Sequence, residues 1–400
     1  MRFAQCGGGM YQIDVKEISK DGNDLAFRVS RNHFQQTVFW GEFKARHGWN
    51  LERFEIAWKY EGEKSEDIET LSEGELSGKE IVSVMIRSFG KGLFSMAYVP
   101  LYPSFPFPKD KLSPNNQTVE FATFLNEIGL SLKPYLPKNT ISVRFDPDVE
   151  FLSPEERDEF NMGMNLVSYA DRLRVKKTKV DIQPPDSTQI DLTPDEEEIL
   201  SKMKNKWRYN IHLAEKKGVE IEKMNSKSLN LYEKLDTFYD LYKITAERDG
   251  IGIHPKNYYA DLITHSTENE EVSLYIAIHE NDYLGAIITL FTKTESIYLY
   301  GCSNNVKRNL MPNFLLQWTA MKDAKAFGSA YYDMYGMPPT DDENHPMHGL
   351  YLFKTGFGGK NIHRIGSFDV RLSPLYKIAT SAENARAWYH KVFKKKIRGR

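Results

Sequence analysis

Helix-like and strand-like stretches follow one another in a similar order in both halves of this 400-residue chain, and that order constrains the fold more than any single motif. In the first half, TVFWGEFKARHG (37–48) spaces its apolar residues for an amphipathic helix. Strand-like segments follow near 51–60, 80–87 and 92–99. The run YVPLYPSFPFP (98–108) is punctuated by prolines and reads as a loop. A helix near 116–133 leads to an apolar strand at 141–145. In the second half, helices are expected near 194–217, 226–248 and 255–266, with strands at 272–279, 283–292 and 295–302, the last two as a hairpin. A helix at 312–327 precedes a short strand at 331–333. Before all of these, Thr193, Pro194 and Glu196 fit an N-cap, a first helical residue and a capping box. The connector KKTKVDIQPPDSTQIDL (176–192) separates the halves, placing a lobe boundary within 175–190. The expected fold class is therefore α/β (α+β mixed), in two lobes of one type.

Bulk chemistry narrows the function. Net charge is −2, so a polyanion has to meet a local patch and not a global field. The two cysteines, Cys6 and Cys302, cannot build a disulfide framework or a zinc cluster, and they fit a reducing compartment. MRFAQCGGGMYQIDVKE lacks the apolar run of a signal peptide, and no stretch approaches the ~20 apolar residues of a spanning helix. A cytoplasmic enzyme or binding protein is expected.

One local patch stands out. In KNKWRYNIHLAEKKGVEIE (204–222), Lys204, Arg208, His212 and Lys216 recur four apart, with Met203, Trp207, Ile211 and Ala214 on another face. Gly218 ends the helix. Elsewhere, the strand–loop–helix at 297–328 has no glycine between Ser303 and Pro312. Acetyl-CoA sites of the GNAT type use glycines there to bring backbone N–H groups to a pyrophosphate, so a CoA site is disfavoured. Lys307 and Arg308 read as solvated loop charge. In YLFKTGFGG (351–359), Lys354 lies between Phe353 and Phe357 and either acts on an anion in low dielectric or snorkels at a helix end. Asp341-Asp342-Glu343-Asn344-His345-Pro346-Met347-His348 reads as an exposed acidic loop, because Pro346 breaks any helix between the histidines. No metal and no cofactor are assigned. Gly7-Gly8-Gly9 lacks the flanking elements of a phosphate loop. The tail from Lys391 to Arg400 is basic and suits anionic lipid, RNA or plain solvent.

Taken in order, FWGEFKARHGW (39–49), VRFDPDVEF (143–151), QPPDSTQIDLTPDEEEILSKMKNKWRYNIHLAEKKGVEI (183–221), TAERDGIGIHPKNYY (245–259), YLYGCS (298–303), YYDMYGM (331–337) and LFKTGFGG (352–359) are similar to the FemABX-type aminoacyltransferases that build peptidoglycan cross-bridges. The resemblance implies two GNAT-like acyltransferase lobes with a cleft between them, spanning 1–180 plus 366–400 and 181–365. With no helical hairpin after Gly218, it is to the compact members. It also implies the reaction. An amino acid leaves its ester on tRNA and forms an amide with a stem-peptide amine of a UDP-linked or lipid-linked peptidoglycan precursor. That chemistry needs both ends held together and an oxyanion stabilised. Peripheral contact with the inner membrane face would follow.

The resemblance implies site residues too. Lys44 would grip the precursor diphosphate, while Trp40 belongs to the core. Asp146 matches a cleft carboxylate, or is a turn aspartate before Pro147. Tyr258 and Tyr298 match precursor-contacting tyrosines, and Lys354 a lysine that stabilises negative charge at the ester. His254 stands before Pro255 where compact members have an arginine, which shifts the phosphate grip toward Lys44. Pro100-Leu101-Tyr102-Pro103 replaces a glycine-containing loop. The basic face Lys204, Arg208, His212 and Lys216, flanked by Lys206 and Lys217, would meet tRNA, or is a solvated amphipathic face. The rival readings are a GNAT-like acyltransferase with another donor or acceptor, and a non-catalytic RNA- or membrane-binding protein.

Overall fold

The structure is a computed structural model that describes residues 10–19 and 33–381; Cys6, Gly7-Gly8-Gly9 and the basic tail lie outside the described residues. In chain order the strands are Tyr11–Glu17 (β1), Asn50–Tyr60 (β2), Ser77–Phe89 (β3), Phe94–Ser104 (β4), Thr140–Asp148 (β5), Glu150–Phe151 (β6), Val175–Lys177 (β7), Asp186–Asp191 (β8), Glu220–Met224 (β9), Glu271–His279 (β10), Asp282–Phe291 (β11), Glu295–Ser303 (β12), Tyr331–Asp333 (β13), Lys360–Arg364 (β14) and Phe368–Arg371 (β15). The helices are Val38–Arg46 (α1), Glu66–Glu69 (α2), Pro114–Leu132 (α3), Pro154–Ala170 (α4), Glu196–Lys202 (α5), Asn205–Lys216 (α6), Leu231–Asp249 (α7), Lys256–Thr264 (α8), Pro312–Phe327 (α9) and His348–Thr355 (α10). One sheet runs β1-β2-β3-β4-β5-β15-β7 and the other β6-β14-β8-β13-β12-β11-β10-β9. The fold is mixed α/β.

Each sheet holds a parallel pair built the same way. β4 and β5 are parallel across the helix α3, and β12 and β13 across α9. Parallel neighbours need a crossover of about a dozen residues or more, and each helix supplies it. This shared unit is what makes the two halves alike.

β15 returns late in the chain to lie between β5 and β7. Its register sets Asp369 directly opposite Arg144. The guanidinium donates Nε to Oδ1 and Nη2 to Oδ2 of Asp369, both at 2.9 Å, and Tyr376 Oη donates to Oδ2 at 2.7 Å. Both partners are buried. Gly129 of α3 sits so close to Val370 that a Cβ there would meet it at 2.6 Å, which lets α3 lie flush on the returning strand.

Several expectations are corrected. The proline run is not a loop up to Ser104, because β4 carries on through Pro100 and Pro103. The parallel register with β5 skips from Pro100 to Ser104, so the prolines sit in an irregular stretch where no ladder donor is needed. The single helix at 194–217 is two helices, α5 and α6, broken at Met203-Lys204. Its cap is Asp195, whose side chain accepts from Glu198 N at 2.8 Å, while Thr193 is held by Asp191. Helix α7 starts at Leu231, after a turn in which Ser228 Oγ accepts from Asn225 N at 3.0 Å. Helix α4 escaped the periodicity, although Ser153, Pro154 and Glu156 spell its start: Ser153 Oγ accepts from Glu156 N at 3.2 Å.

One hydrophobic core lies between the first sheet and α3 and α4. Another is shared by both halves: Phe34, Trp40, Phe43 and Tyr98 pack with Phe238, Tyr259, Leu274 and Ile288. A third lies under α6 and α9. Charges also cross the junction. Arg46 and His47 both meet Asp261, at 3.0 and 2.9 Å, and His33 meets Asp148 at 3.2 Å and Glu295 at 3.5 Å.

Burial alone would lower the His33 pKa, but hydrogen bonds and charge from Asp148 and Glu295 outweigh it and raise it to about 10. A folded pKa above the unfolded value gives stability that is complete below about pH 6.5 and lost as pH rises toward 10. Urea titrations of wild type and His33→Gln at several pH values should show a wild-type advantage on the order of 3 kcal/mol near pH 6 that shrinks toward zero by pH 10. An advantage that did not change with pH would refute this assignment.

Candidate active site between the two lobes

Helix α1 carries Lys44 toward α8. Thr37 starts that helix by accepting from Trp40 N at 3.2 Å. Lys44 Nζ lies 3.4 Å from Tyr258 Oη and 5.6, 5.8 and 5.7 Å from the ring centroids of Trp40, Trp49 and Tyr258. Arg87, at the end of β3, holds its guanidinium 5.4 Å from the same Trp49 ring. Two cations thus share one indole. Among the described residues no carboxylate pairs with either, since Asp261 is taken by Arg46 and His47. Burial, then the Arg87 charge, push Lys44 down to about 8. Like charges held together without a counter-charge are an unfavourable arrangement that an anion would relieve. His254 stacks on Tyr258 with ring centroids 3.9 Å apart. Burial, then Lys44 and His47, hold its pKa below the ordinary value, so it is neutral at pH 7.

The two cleft tyrosines expected from the resemblance part company. In the β11–β12 register Ile288 faces Tyr300 and Thr289 faces Tyr298, leaving Leu299 as an extra residue. Strict alternation would send Tyr298 and Tyr300 to one face. The bulge sends Tyr300 to the core containing Tyr258 and Tyr259, and Tyr298 to the core containing Trp207 and Phe353. Tyr298 lies across Gly301, where a Cβ would come within 1.8 Å of its Oη.

Tyr298 meets Lys354, whose Nζ is 5.1 Å from its ring centroid. Lys354, buried at the end of α10, donates to the carbonyls of Met334, Tyr335 and Gly336 at 2.6, 2.7 and 2.8 Å. An ammonium has three protons, and all three are placed. Burial pushes Lys354 down to about 7, with the Asp333 charge pulling the other way. It is a buried strut at a helix end, not a snorkelling one. The segment it grips is unusual: Tyr335 holds φ 56 without being glycine. Asp333 Oδ1 fixes it by accepting from Tyr335 N at 2.7 Å.

Asp146 is not a turn residue. It lies within β5 opposite Pro100 and is buried. Tyr98 Oη donates to it at 2.5 Å, Gln183 N at 3.3 Å, and Ser367 Oγ also donates. Burial pushes its carboxyl up to about 6 against those hydrogen bonds. From Asp146 a chain of contacts runs on. Gln183 Nε2 donates to Tyr98 Oη at 3.1 Å, Tyr335 Oη donates to Gln183 Oε1, and Tyr335 O accepts from Lys354. Asp146 and Lys354 therefore sit at opposite ends of one network that crosses between the sheets. Sequence reasoning found the ends and missed Tyr98, Gln183, Tyr335 and Arg87. Gln183 and Tyr335 lie in stretches that carry the resemblance, QPPDSTQIDL and YYDMYGM, but no role was read for them there, and Tyr98 and Arg87 lie outside those stretches.

The basic row on α6 is only partly free. Met203, Ile211 and Ala214 are buried as expected, and Trp207 packs with them. Arg208 Nη1 donates to the carbonyls of Ser201 and Met203 at 3.0 and 2.6 Å, capping α5. His212 meets Glu215 at 3.3 Å. Lys204 and Lys216 are exposed. The start of α6 also braces the Lys354 helix: Lys204 N donates to Gly356 O and Trp207 Nε1 to Phe353 O, both at 2.9 Å. Gly356 permits this, since a Cβ there would meet Trp207 at 2.3 Å. The glycine-free loop after β12 turns through Lys307 and Met311, both at positive φ. Lys307 is ion-paired with Glu280 at 2.6 Å and Asp282 at 2.9 Å, so it is not simply solvated. His348 meets Asp341 at 2.6 Å.

Two mixed sheets, each with its own parallel pair, meet at this buried polar network. The chain matches the FemAB family over residues 25–284 and 264–384, and it belongs to that family. It is 22% identical to "Lipid II:glycine glycyltransferase" of Staphylococcus aureus (strain MRSA252), covering 92% of this chain and 95% of that protein. It is 23% identical to the protein of the same name from Staphylococcus epidermidis (strain ATCC 12228 / FDA PCI 1200), covering 73% of this chain and 83% of the other. Among solved structures, "Crystal structure of FemX" superposes with a TM-score of 0.65 at 20% identity, covering 91% of this chain and 99% of that one.

Proposed function

We propose that this chain transfers an amino acid from aminoacyl-tRNA to an amine of the stem peptide in a peptidoglycan precursor. Family membership and relatives named for a lipid II glycyltransferase support the reaction class. The observation that carries the reading for this chain is the pair of cations, Lys44 and Arg87, on one indole, with no carboxylate paired to either among the described residues. A diphosphate is the anion such a pair suits, and Arg87 takes over what a neutral His254 cannot supply.

In the proposed step the acceptor nitrogen attacks the ester carbonyl. A C–N bond forms, the C–O bond to the terminal ribose of tRNA breaks, and the ribose oxygen leaves with the proton lost by the amine. Lys354 stabilises the oxyanion by turning one of its protons from a backbone carbonyl to the reacting oxygen. Tyr298 walls the site beside it, and Tyr258 lines the phosphate end. Both oxygens of Asp146 are engaged, so its role is to orient Tyr98 and Gln183 and through them Tyr335. Lys204 and Lys216 are the residues of the basic face left to meet tRNA phosphates; Arg208 and His212 serve the fold first.

The test is a transfer assay with labelled aminoacyl-tRNAs and UDP-linked or lipid-linked precursor. Lys44→Met and Arg87→Met should each raise KM for the precursor roughly tenfold with kcat little changed, the pattern of lost uniform binding. Folded protein that transfers nothing to either precursor would overturn the reaction. Transfer with unaltered KM in both variants would overturn the phosphate site.

A further inference from the structure

The chain that leaves β13 stays fastened to β8. Met334 N donates to Thr188 O and Met337 N to Asp186 O, both at 3.0 Å. Between these two bonds lie the left-handed Tyr335 and then Gly336, where a Cβ would meet Pro184 at 2.9 Å. The carbonyls of Met334, Tyr335 and Gly336 converge on Lys354 Nζ. Neighbouring carbonyls of a regular strand point to opposite sides, so three on one ammonium need the reversal that Tyr335 makes. A left-handed tyrosine is a costly conformation that persists only where its surroundings hold it.

The group that holds it is the buried carboxylate of Asp333. Its Oδ1 accepts from Tyr335 N at 2.7 Å and from Ser187 Oγ. Its Oδ2 accepts from Gln189 Nε2 at 3.2 Å and from Arg364 Nη2 at 3.4 Å. Ser187 and Gln189 belong to β8 and Arg364 to β14, so two strands besides its own fix this carboxylate. Arg364 is itself buried, reaches Glu150 at 3.8 Å, and among the described residues its Nε has no hydrogen-bond partner. Asp333 therefore serves two buried cations. Arg364 touches it, and the Lys354 ammonium feels its charge from the far side of the turn.

We propose that Asp333 is the positioning residue for Lys354: its carboxylate shapes the carbonyl cage around the ammonium and balances the ammonium's charge. The proposal rests on the reading of Lys354 as the oxyanion donor and deepens it. Lys354 serves that role only while it carries its proton. Burial brings it down to about 7, and Asp333 opposes burial. Without the charge on Asp333, burial acts alone and the proton leaves at a lower pH. The other ionisable groups around Lys354 do not reproduce this. Tyr298 on β12, Tyr331 on β13 and Tyr335 in the turn are all raised by burial, out of the neutral range. Trp207 and Phe353, which pack with Tyr298, carry no charge. Asp148, Glu150 and Glu295 bear on Arg364. Asp146, pushed up to about 6 and joined to Tyr335 through Gln183, gains negative charge as pH rises, which favours the ammonium and not the free amine.

The experiment is a carbon NMR titration of the full chain labelled at the lysine ε-carbon, in which Lys354→Met identifies the resonance by removing it. Wild type should titrate at about 7. Asp333→Asn keeps an oxygen for Tyr335 N but no charge, and should titrate about one pH unit lower. Arg364→Gln leaves the carboxylate to Lys354 alone, and should titrate about one unit higher. Opposite signs separate charge from shape, since damaged packing would push both variants the same way. In the transfer assay, the pH at which kcat falls should move with the resonance. Thermal melts show which variants are folded, and one folded variant is enough to decide. A midpoint that stays in place in a folded variant overturns the proposal, as does a midpoint that moves while the fall in kcat does not. Wild-type protein that transfers nothing would remove the reaction, and the titration would still judge what Asp333 does to Lys354.

Discussion

Lys354→Met is expected to lower kcat for transfer by roughly 100- to 1,000-fold, the range seen when one preorganised oxyanion donor is removed. Methionine keeps the length and apolar stem of the side chain, so what is lost is the ammonium. The same change also frees three carbonyls at Met334, Tyr335 and Gly336. A structural cost on the order of 1–3 kcal/mol should appear beside the catalytic one. The two separate cleanly if kcat is measured per folded molecule at a temperature well below the melt. A variant that is less stable but transfers at the normal rate would leave Lys354 a strut and nothing more.

Arg144→Ala is expected to destabilise the fold by about 3–5 kcal/mol, because it strands a buried carboxylate. Asp369 is 0% exposed and, among the described residues, would keep Tyr376 alone as a side-chain partner. Urea denaturation measures the loss directly. Arg144→Ala/Asp369→Ala should recover a good part of it, since removing both charges costs less than orphaning one. If the double variant is no better than the single, the charge pair is not what fastens β15.

Much of the architecture was legible because it rests on local periodicity. The amphipathic α1, the β11–β12 hairpin and α9 follow from spacing that any sheet or helix would impose. The failures share a cause: partners distant in sequence. Prolines in β4 look like a loop until β5 is seen to tolerate an irregular stretch beside it. Arg144 and Asp146 look alike in VRFDPDVEF, yet one clamps a returning strand and the other anchors a network between sheets. Of the candidate network, the ends Asp146 and Lys354 were nameable through resemblance, as was Lys44. Its middle was not. Tyr335 depends on a backbone angle, Tyr300 on a bulge, and Arg87 on sharing Trp49 with a residue from another element. The basic row on α6 was visible as a pattern, but the pattern could not say that Arg208 was already occupied by the carbonyls of α5.

The late return of β15 carries a consequence for synthesis. The first sheet is complete only when residues 368–371 join it, after every strand of the second sheet has been made. A chain growing from the ribosome therefore holds the β5 edge open, with Arg144 lacking its carboxylate, through most of translation. Unpaired edges of this kind invite pairing with the wrong strand. The protein has to finish its second half before its first can close, so truncation near the C-terminus would be expected to expose the oldest part of the chain and not the newest.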